Sequence, residues 1–312
     1  MLRAADHFSR DEIARLKEKS DLRAAWCIVH AWGLIFASMA LFALWPNPLS
    51  FMVAVAVIGT RQLGLVILMH DASHGLLFRN PKVNDWAANW LCAFPALADL
   101  RPYRPYHFAH HKHTQQPEDP DLGLSAPFPI TPSSFRRKLL RDISGQTGFD
   151  QRSRQLRAAF GHRGMSVGAR LRLAMDKMGG MFATNAILLA ALSAAGYWWL
   201  YFALWLFPLL TWYQLVTRVR NIAEHAVVPS ATDPLGTART TLANPLARLL
   251  VAPYWVNYHV EHHALIFVPC YNLPLAHAML KAKGLGPRME VRGGYLEVMR
   301  MATSRPEARA AA

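Results

Sequence analysis

The sequence predicts an all-α integral membrane protein in which four transmembrane helices carry a cytosolic helical cap. The first observation behind this prediction is composition: 53% of the 312 residues are hydrophobic and only 17% are charged, whereas about a quarter of an ordinary soluble domain is charged. The second is the presence of long apolar stretches, and the third is the placement of lysine and arginine outside the short connectors between them. Such a chain is too apolar to be disordered.

The first apolar stretch contains no acidic or basic residue except His30, and its 20 residues can cross about 30 Å of hydrocarbon as a helix. The second is interrupted only by Arg61 and Gln62, which we expect to face the bundle interior or to snorkel. The third and fourth form a hairpin with aromatic residues at its turn. A shorter patch, 87–98, predicts an interfacial or re-entrant helix. We place the spans at residues 26–45, 49–69, 181–195 and 197–216.

Charge placement orients these spans. Apart from Arg61, every lysine and arginine lies in the N-terminal arm, between residues 70 and 180, or after residue 216. By the positive-inside rule, both termini and the middle segment are cytoplasmic, in a membrane that we expect to be a bacterial cytoplasmic membrane. Because no repeat or flexible linker divides the chain, residues 1–312 form a single domain with cytosolic parts 1–25, 70–180 and 217–312. The basic tail is expected to be disordered from Met301 onward.

Histidine is the outlier in composition, with 14 residues, and its spacing predicts metal binding. An HxxxH pair follows the second span, and two HxxHH boxes occur far apart in the chain. Histidines at i, i+3 and i+4 share one helical face, where imidazoles can bind metal ions. A further pair at i and i+4 ends the fourth span, with asparagine as the weaker candidate. The candidate ligands are His70, His74, His107, His110, His111, Asn221, His225, His259, His262 and His263.

Nine clustered histidines are too many for one ion, so the sequence predicts two metals. Neutral imidazoles do not cancel the charge of two divalent ions, and nearby carboxylates should therefore hold the N–H groups of the ligands. The residue types permit iron, zinc, copper or nickel. His113 falls outside the shared face, and His7, His30, His162 and His277 have no cluster partner. The carboxylates beside the clusters are Asp71, Asp119, Asp121, Glu224 and Glu261.

These motifs resemble those of the membrane fatty acid desaturase family. The matching segments are HDASH at 70–74, YRPYHFAHHKHT at 103–114 with EDPD at 118–121, RNIAEH at 220–225 and NYHVEHH at 257–263. With the four spans, the resemblance covers most of residues 26–275. It implies a non-haem di-iron site in which the nine histidines are the catalytic iron ligands, with Asn221 holding a metal-bound water.

The resemblance also implies an activity: an oxygen-dependent fatty acyl desaturase that introduces a double bond into a lipid acyl chain. The cofactors would be two iron ions, with O2 as co-substrate. Because the sequence has no flavin, nicotinamide, CxxC or cytochrome b5-like motif, electrons must come from a separate ferredoxin or cytochrome b5-like donor. Trp255 and Tyr258 are candidates to line an acyl tunnel, although aromatic residues near an interface are more often anchors.

Two other functions stay open at this point. Membrane di-iron hydroxylases or ketolases acting on lipids, alkanes, sphingolipids or carotenoids use similar boxes. A zinc transporter or sensor is disfavoured, because transport sites usually lie near the bilayer midplane rather than at helix ends. The basic segment 122–180 is typical of an interfacial helix facing membrane lipids, and alternatively of a dock for an acidic electron donor or for an acyl carrier's phosphates. Nucleic acid is not an expected partner, since no nucleic-acid-binding motif accompanies the charge.

Overall fold

A computed structural model describes residues 2–306 and confirms the predicted fold class. Within these residues, four helices are long and apolar enough to cross a membrane. They form two helical hairpins, joined at residues 45–47 and 195–197. The candidate spans lie within Arg10–Leu44, Pro48–Ser73, Val167–Ala194 and Trp198–His225.

The elements follow one another in this order along the chain. The helices before the second hairpin are α1 (Arg10–Lys17), α2 (Asp21–Leu44), α3 (Pro48–Ser73), α4 (Pro81–Ala87), α5 (Leu100–His113), α6 (Leu122–Ser125), α7 (Pro132–Ile143) and α8 (Gln146–Ala159). The later helices are α9 (Val167–Ala194), α10 (Trp198–Leu200), α11 (Phe207–Leu210), α12 (Trp212–His225), α13 (Pro245–Leu250), α14 (His259–Ala264), α15 (Leu273–Ala282) and α16 (Tyr295–Ala302). Two short strands, β1 (Thr240–Thr241) and β2 (Val291–Arg292), pair in parallel.

Helix α3 is the central helix of the bundle. It begins at Pro48, where the Asn47 side chain accepts hydrogen bonds from two backbone N–H groups of the first turn. Its polar residues Arg61 and Gln62 are 3% and 0% exposed. Both therefore face the bundle interior and do not snorkel, which was one of the two predicted alternatives. The helix continues without a break through His70, and it thereby carries the first histidine to the membrane face at which α3 ends, called here the histidine face.

The second hairpin is longer than its apolar stretches. Helix α9 begins at Val167, before the predicted span 181–195, and α12 ends at His225, beyond the predicted span 197–216. Both extensions lie toward the histidine face, because the hairpin turn is at the opposite end. The α12 extension brings His225 to the same face as the end of α3.

A buried amide holds the second hairpin to the short helices beside it. The Asn185 Nδ2 donates to the backbone carbonyls of Phe94 and Pro95, both at 3.3 Å. Its Oδ1 accepts from the Tyr201 hydroxyl and the Trp205 indole N–H, both at 3.0 Å. Tyr201 and Trp205 lie in a π-helical segment, Tyr201–Leu206. Asn185 on α9 therefore satisfies polar groups from two other segments at once.

Most of residues 99–166 and 226–306, with the N-terminal arm, form a cap on the histidine face. The segment 88–95 lies beside the spans instead, since the Trp32 indole on α2 donates to the carbonyl of Leu91 at 2.9 Å. The patch at 87–98 forms a short helix, as predicted, with a π-helical part at Ala88–Ala93. The N-terminal arm packs on the cap, since the backbone N–H of Leu2 donates to the carbonyl of Ala264 at 3.1 Å. The cytosolic orientation of this face stays a prediction.

The expectation of disorder from Met301 onward is wrong for the residues that the structure describes. Helix α16 extends to Ala302, whose side chain is buried against Ile222 and Ala226. The carbonyl of Ala302 also accepts a hydrogen bond of 2.9 Å from the N–H of Ile130. An amphipathic helix that buries its apolar face is ordered despite a basic composition. The rest of the expectation, residues 307–312, lies outside the described residues.

Replacing Asn185 with leucine should destabilise the protein, because several buried polar groups lose their partner. We expect a loss of about 1–2 kcal/mol, in the upper range for polar contacts between membrane helices. Thermal unfolding followed by size-exclusion chromatography in detergent measures this change. Thr184→Val is the matched control, because the Thr184 hydroxyl donates only to carbonyls of its own helix, those of Gly180 and Met181. Equal stability of the two variants would contradict the assignment of Asn185 as the residue that holds the second hairpin to the short helices beside it.

Candidate metal centre

Four segments deliver histidines to one buried region on the histidine face. The end of α3 supplies His70, and the residue that caps this helix, His74, follows one turn later. Helix α5 begins at Leu100, after Asp99, whose carboxylate caps the helix by accepting from the N–H of Arg101. The helix presents its three box histidines near its C-terminal end. The end of α12 supplies His225, and the six-residue α14 supplies the second box.

The nine histidines form two clusters, in each of which every residue offers a nitrogen within 4.8 Å of all the others. The first cluster is His70, His74, His107, His111 and His262, and the second is His110, His225, His259 and His263. Both clusters can hold a metal ion, in accordance with the predicted number of metals. All the histidines singled out from the sequence are thus brought together.

Each HxxHH box serves both clusters. His107 and His111, one turn apart on α5, face the first cluster, while His110 between them faces the second. On α14 the assignment is reversed, because His262 joins the first cluster and its neighbours at i−3 and i+1 join the second. The i, i+3, i+4 spacing therefore places two metal positions side by side between the two helices.

The distances between ring nitrogens fit ions shared by several imidazoles. In the first cluster, the Nε2 atom of His111 lies 2.9 Å from that of His107 and 3.0 Å from that of His262. In the second, the Nε2 atom of His259 lies 2.9 Å from that of His225 and 3.1 Å from that of His263. Two nitrogens bound at right angles to one ion at about 2.0–2.1 Å are about 2.9 Å apart.

The chemistry of the donors also fits a metal. His70 is buried, and its Nε2 atom has no hydrogen-bond partner among the described residues. Burial, and then the neighbouring imidazoles, lower the pKa of His107, His262 and His263 well below the usual value. These rings are therefore neutral at neutral pH, which is the form that binds metal ions. The donor set of nitrogens is suited to iron, zinc, copper or nickel.

Of the five predicted carboxylates, Asp119 alone accepts a hydrogen bond from the outer nitrogen of a cluster histidine among the described residues. Its Oδ1 atom lies 2.8 Å from Nδ1 of His110, which donates to it. Asp121 lies 3.9 Å from the same nitrogen and accepts instead from the Tyr106 hydroxyl. The contact made by Asp119 fixes the ring orientation of His110, so that its Nε2 atom faces the second cluster.

The other three carboxylates have different partners. Asp71 accepts from the backbone N–H of Cys270 at 3.2 Å. Glu261 accepts from the Thr240 hydroxyl and from Nδ1 of His277, each at 2.5 Å. Glu224 accepts from Arg220 at 2.6 Å, and its second oxygen lies 3.4 Å from Nε2 of His259. Sequence proximity alone did not indicate these partners.

A small polar cavity adjoins the second cluster. Asn221 lines it together with Arg220, Glu224 and His225. Asn221 is thus beside the second cluster, although the metal-bound water assigned to it from the resemblance stays a prediction. His113 belongs to neither cluster, as the spacing predicted.

Three contacts near the clusters were missed by reasoning from the sequence. The ring of Tyr103 stacks on His107, with centroids 5.2 Å apart. Arg220 forms a buried ion pair with Glu224, which their i, i+4 spacing could have indicated. His277 contacts Glu261 directly behind α14, and no local pattern pointed to it.

Comparison with known proteins identifies a family to which the sequence is similar. The sequence model of a protein family described as "Fatty acid desaturase" matches residues 43–291, which include α3, the second hairpin and all nine cluster histidines. A search of curated proteins found no match to this chain.

Replacing one histidine from each cluster should remove one metal at a time. We expect His262→Ala to lower occupancy of the first cluster and His263→Ala that of the second, so that bound metal falls from about two ions per chain toward about one in each variant. Elemental analysis of the purified protein measures this content. His113→Ala is the matched control, since His113 follows the first box but lies in neither cluster. Loss of both ions in His113→Ala would contradict the two-cluster assignment.

Asp119→Asn should weaken metal binding without removing a ligand. Loss of a hydrogen-bonded partner behind a metal-binding histidine typically costs about 10- to 100-fold in affinity. Competition with a chelator, followed by metal analysis, gives the ratio of affinities. Asp121→Asn should change affinity little, because Asp121 lies 3.9 Å from Nδ1 of His110. An equal effect of the two substitutions would show that general negative charge, and not the hydrogen bond, matters.

Proposed function

The chain belongs to the fatty acid desaturase family, and from this premise we propose that it is an O2-dependent desaturase that introduces a double bond into a lipid acyl chain. Family membership makes the protein an oxidoreductase that modifies fatty acids, of the desaturase or hydroxylase type. The observation that carries the finer proposal is the division of nine histidines, most of them buried, into two adjacent clusters.

We assign all nine histidines as ligands of two non-haem iron ions, with Asn221 beside the second ion. The ring nitrogens converge, most of the rings are buried, and neutral imidazoles suit ferrous iron. When bound, the iron pair supplies the activation of O2 that the oxidation of an unreactive methylene requires. Forming the double bond takes two electrons and two protons from the chain, and two further electrons and protons complete the reduction of one O2 to two water molecules.

The residues of the chain have three tasks in this reaction. The histidines bind the ions, and Asp119 orients His110 by accepting its Nδ1 proton at 2.8 Å. Burial of the clusters under the cap excludes bulk water, which protects a reactive site from side reactions. The stacked ring of Tyr103 and the Arg220–Glu224 ion pair pack beside the clusters and restrict the rotation of His107 and His259.

The two additional electrons require a separate donor, which we propose to be a ferredoxin or a cytochrome b5-like protein. Exposed Arg136 and Arg137 on α7 offer positive charge on the histidine face for an acidic partner. We place this face and both termini on the cytoplasmic side, because the basic residues of the chain flank the spans there. Residues 1–312 would then act as one domain in a bacterial cytoplasmic membrane.

Mass spectrometry of lipids from a bacterial host tests the reaction. The host expresses the chain with a ferredoxin and its reductase, beside His110→Ala and His262→Ala variants, one from each cluster. We expect acyl chains lighter by two hydrogens with the intact protein and none with either variant, because each substitution removes a ligand of one ion. Membrane expression of the variants should be retained.

The same experiment separates the alternatives. Products heavier by one oxygen atom would show that the reaction is hydroxylation and not desaturation. In hydroxylation, oxygen is inserted and no second hydrogen is removed. Turnover by either histidine variant at the rate of the intact protein would contradict the assignment of two ions. The His113→Ala variant should retain full activity, since its side chain lies outside both clusters.

A further inference from the structure

Arg239 is a fully buried arginine that lies directly before the strand β1. Its side chain is 0% exposed, and an arginine is rarely buried to this extent unless it is paired. Its Nε atom donates to a carboxylate oxygen of Glu290 at 3.1 Å, so that the positive charge is compensated. The proposed reaction has given this residue no role.

The other donors of Arg239 bind the backbone at the C-terminal end of α12. Its Nη1 atom donates to the carbonyls of Ala223 at 3.2 Å and Ala226 at 2.8 Å, and its Nη2 atom donates to that of Val227 at 2.7 Å. Its backbone N–H donates to the carbonyl of Glu224 at 2.7 Å. The last carbonyls of a helix lack partners within the helix and carry partial negative charge, so a cation is favourable there. One residue therefore holds four carbonyls of this helix end.

These carbonyls lie on both sides of His225, the one histidine that α12 supplies to the clusters. The Nδ1 atom of His225 donates to the carbonyl of Thr237 at 3.3 Å, two residues before Arg239. Its Nε2 atom is then free to face the second cluster, where it lies 2.9 Å from that of His259. The same short segment therefore holds both the helix end and the orientation of the ring.

The residue after Arg239 extends this connection to α14. The Thr240 hydroxyl donates to Glu261 on α14 at 2.5 Å. Residues 237–240 thus join the helix that carries His225 to the helix that carries His259 and His263. These are three of the four histidines of the second cluster.

We propose that Arg239 is a positioning residue for the second metal ion. It holds the end of α12 against the segment that also contacts α14, and it thereby sets the distance between His225 and His259. Its side chain bonds to backbone carbonyls and to Glu290, so that it acts through the helix end and not on the ion. Because α12 supplies no histidine to the first cluster, loss of Arg239 should weaken binding of the second ion alone. The inference rests on the proposed pair of ions.

Anaerobic competition for ferrous iron between a chelator and the purified full chain in detergent tests the proposal. Arg239→Gln is measured in two backgrounds: His262→Ala, which leaves the second cluster intact, and His263→Ala, which leaves the first intact. We expect a loss of affinity of about tenfold or more in the His262→Ala background, since removing the support behind a metal ligand typically costs about 10- to 100-fold. Affinity in the His263→Ala background should not change.

Arg292→Gln is the matched control. Arg292 donates to the same carboxylate oxygen of Glu290 at 2.8 Å, and the other partner of its side chain is Glu297. We expect this variant to leave the affinity unchanged in both backgrounds. Arg239→Lys keeps the charge and three donors, so it should lose less affinity for the second ion than Arg239→Gln does.

An equal loss of affinity in the two backgrounds would overturn the proposal, because it would show general destabilisation of the cap. An effect of Arg292→Gln as large as that of Arg239→Gln would do the same, since the contact with Glu290 would then be the one that matters. If Arg239→Gln does not fold, Arg239→Lys decides: a loss confined to the His262→Ala background supports the proposal, and unchanged affinity overturns it. Failure of the intact chain to bind two ferrous ions would contradict the proposed function, and this inference with it.

Discussion

The convergence of nine imidazoles at one end of a helical bundle is the constraint on which the rest of the structure depends. Ring nitrogens within each cluster approach to between 2.9 and 3.2 Å, which requires segments far apart in the chain to be held at fixed distances. Continuous helices satisfy this requirement at three of the four segments. Helices α3 and α12 run from the apolar bundle to the histidine face without a break, so that the packing of the spans positions His70 and His225 directly.

The second histidine box is held differently. Helix α14 has only six residues, and its position depends on contacts with elements around it. The Thr240 hydroxyl and His277 both bond to Glu261 on this helix, and the N-terminal arm bonds to the carbonyl of Ala264 at its end. The cap thus serves as more than a cover over the clusters. It supplies the rigidity that a short helix lacks by itself.

Polar groups within the apolar bundle link segments of the chain. Asn185 is satisfied on both sides of its amide, and it acts as a structural link between helices. Arg61 donates through its Nη2 group to two carbonyls of α13, and it thereby links this short helix to α3. Both residues connect segments that are distant in the chain through backbone carbonyls.

The amino-acid sequence was sufficient to predict the four candidate spans and the nine histidines that come together, since hydropathy and the i, i+3, i+4 spacing are local properties of a helix. Tertiary structure alone decided how the histidines of each box divide between the clusters. His110 lies in a different cluster from the other two histidines of its box, and the same is true of His262. The tertiary structure also decided that Asp119, among five nearby carboxylates, contacts a ligand histidine. Both outcomes depend on the distance and angle between helices distant in sequence, which no local pattern encodes.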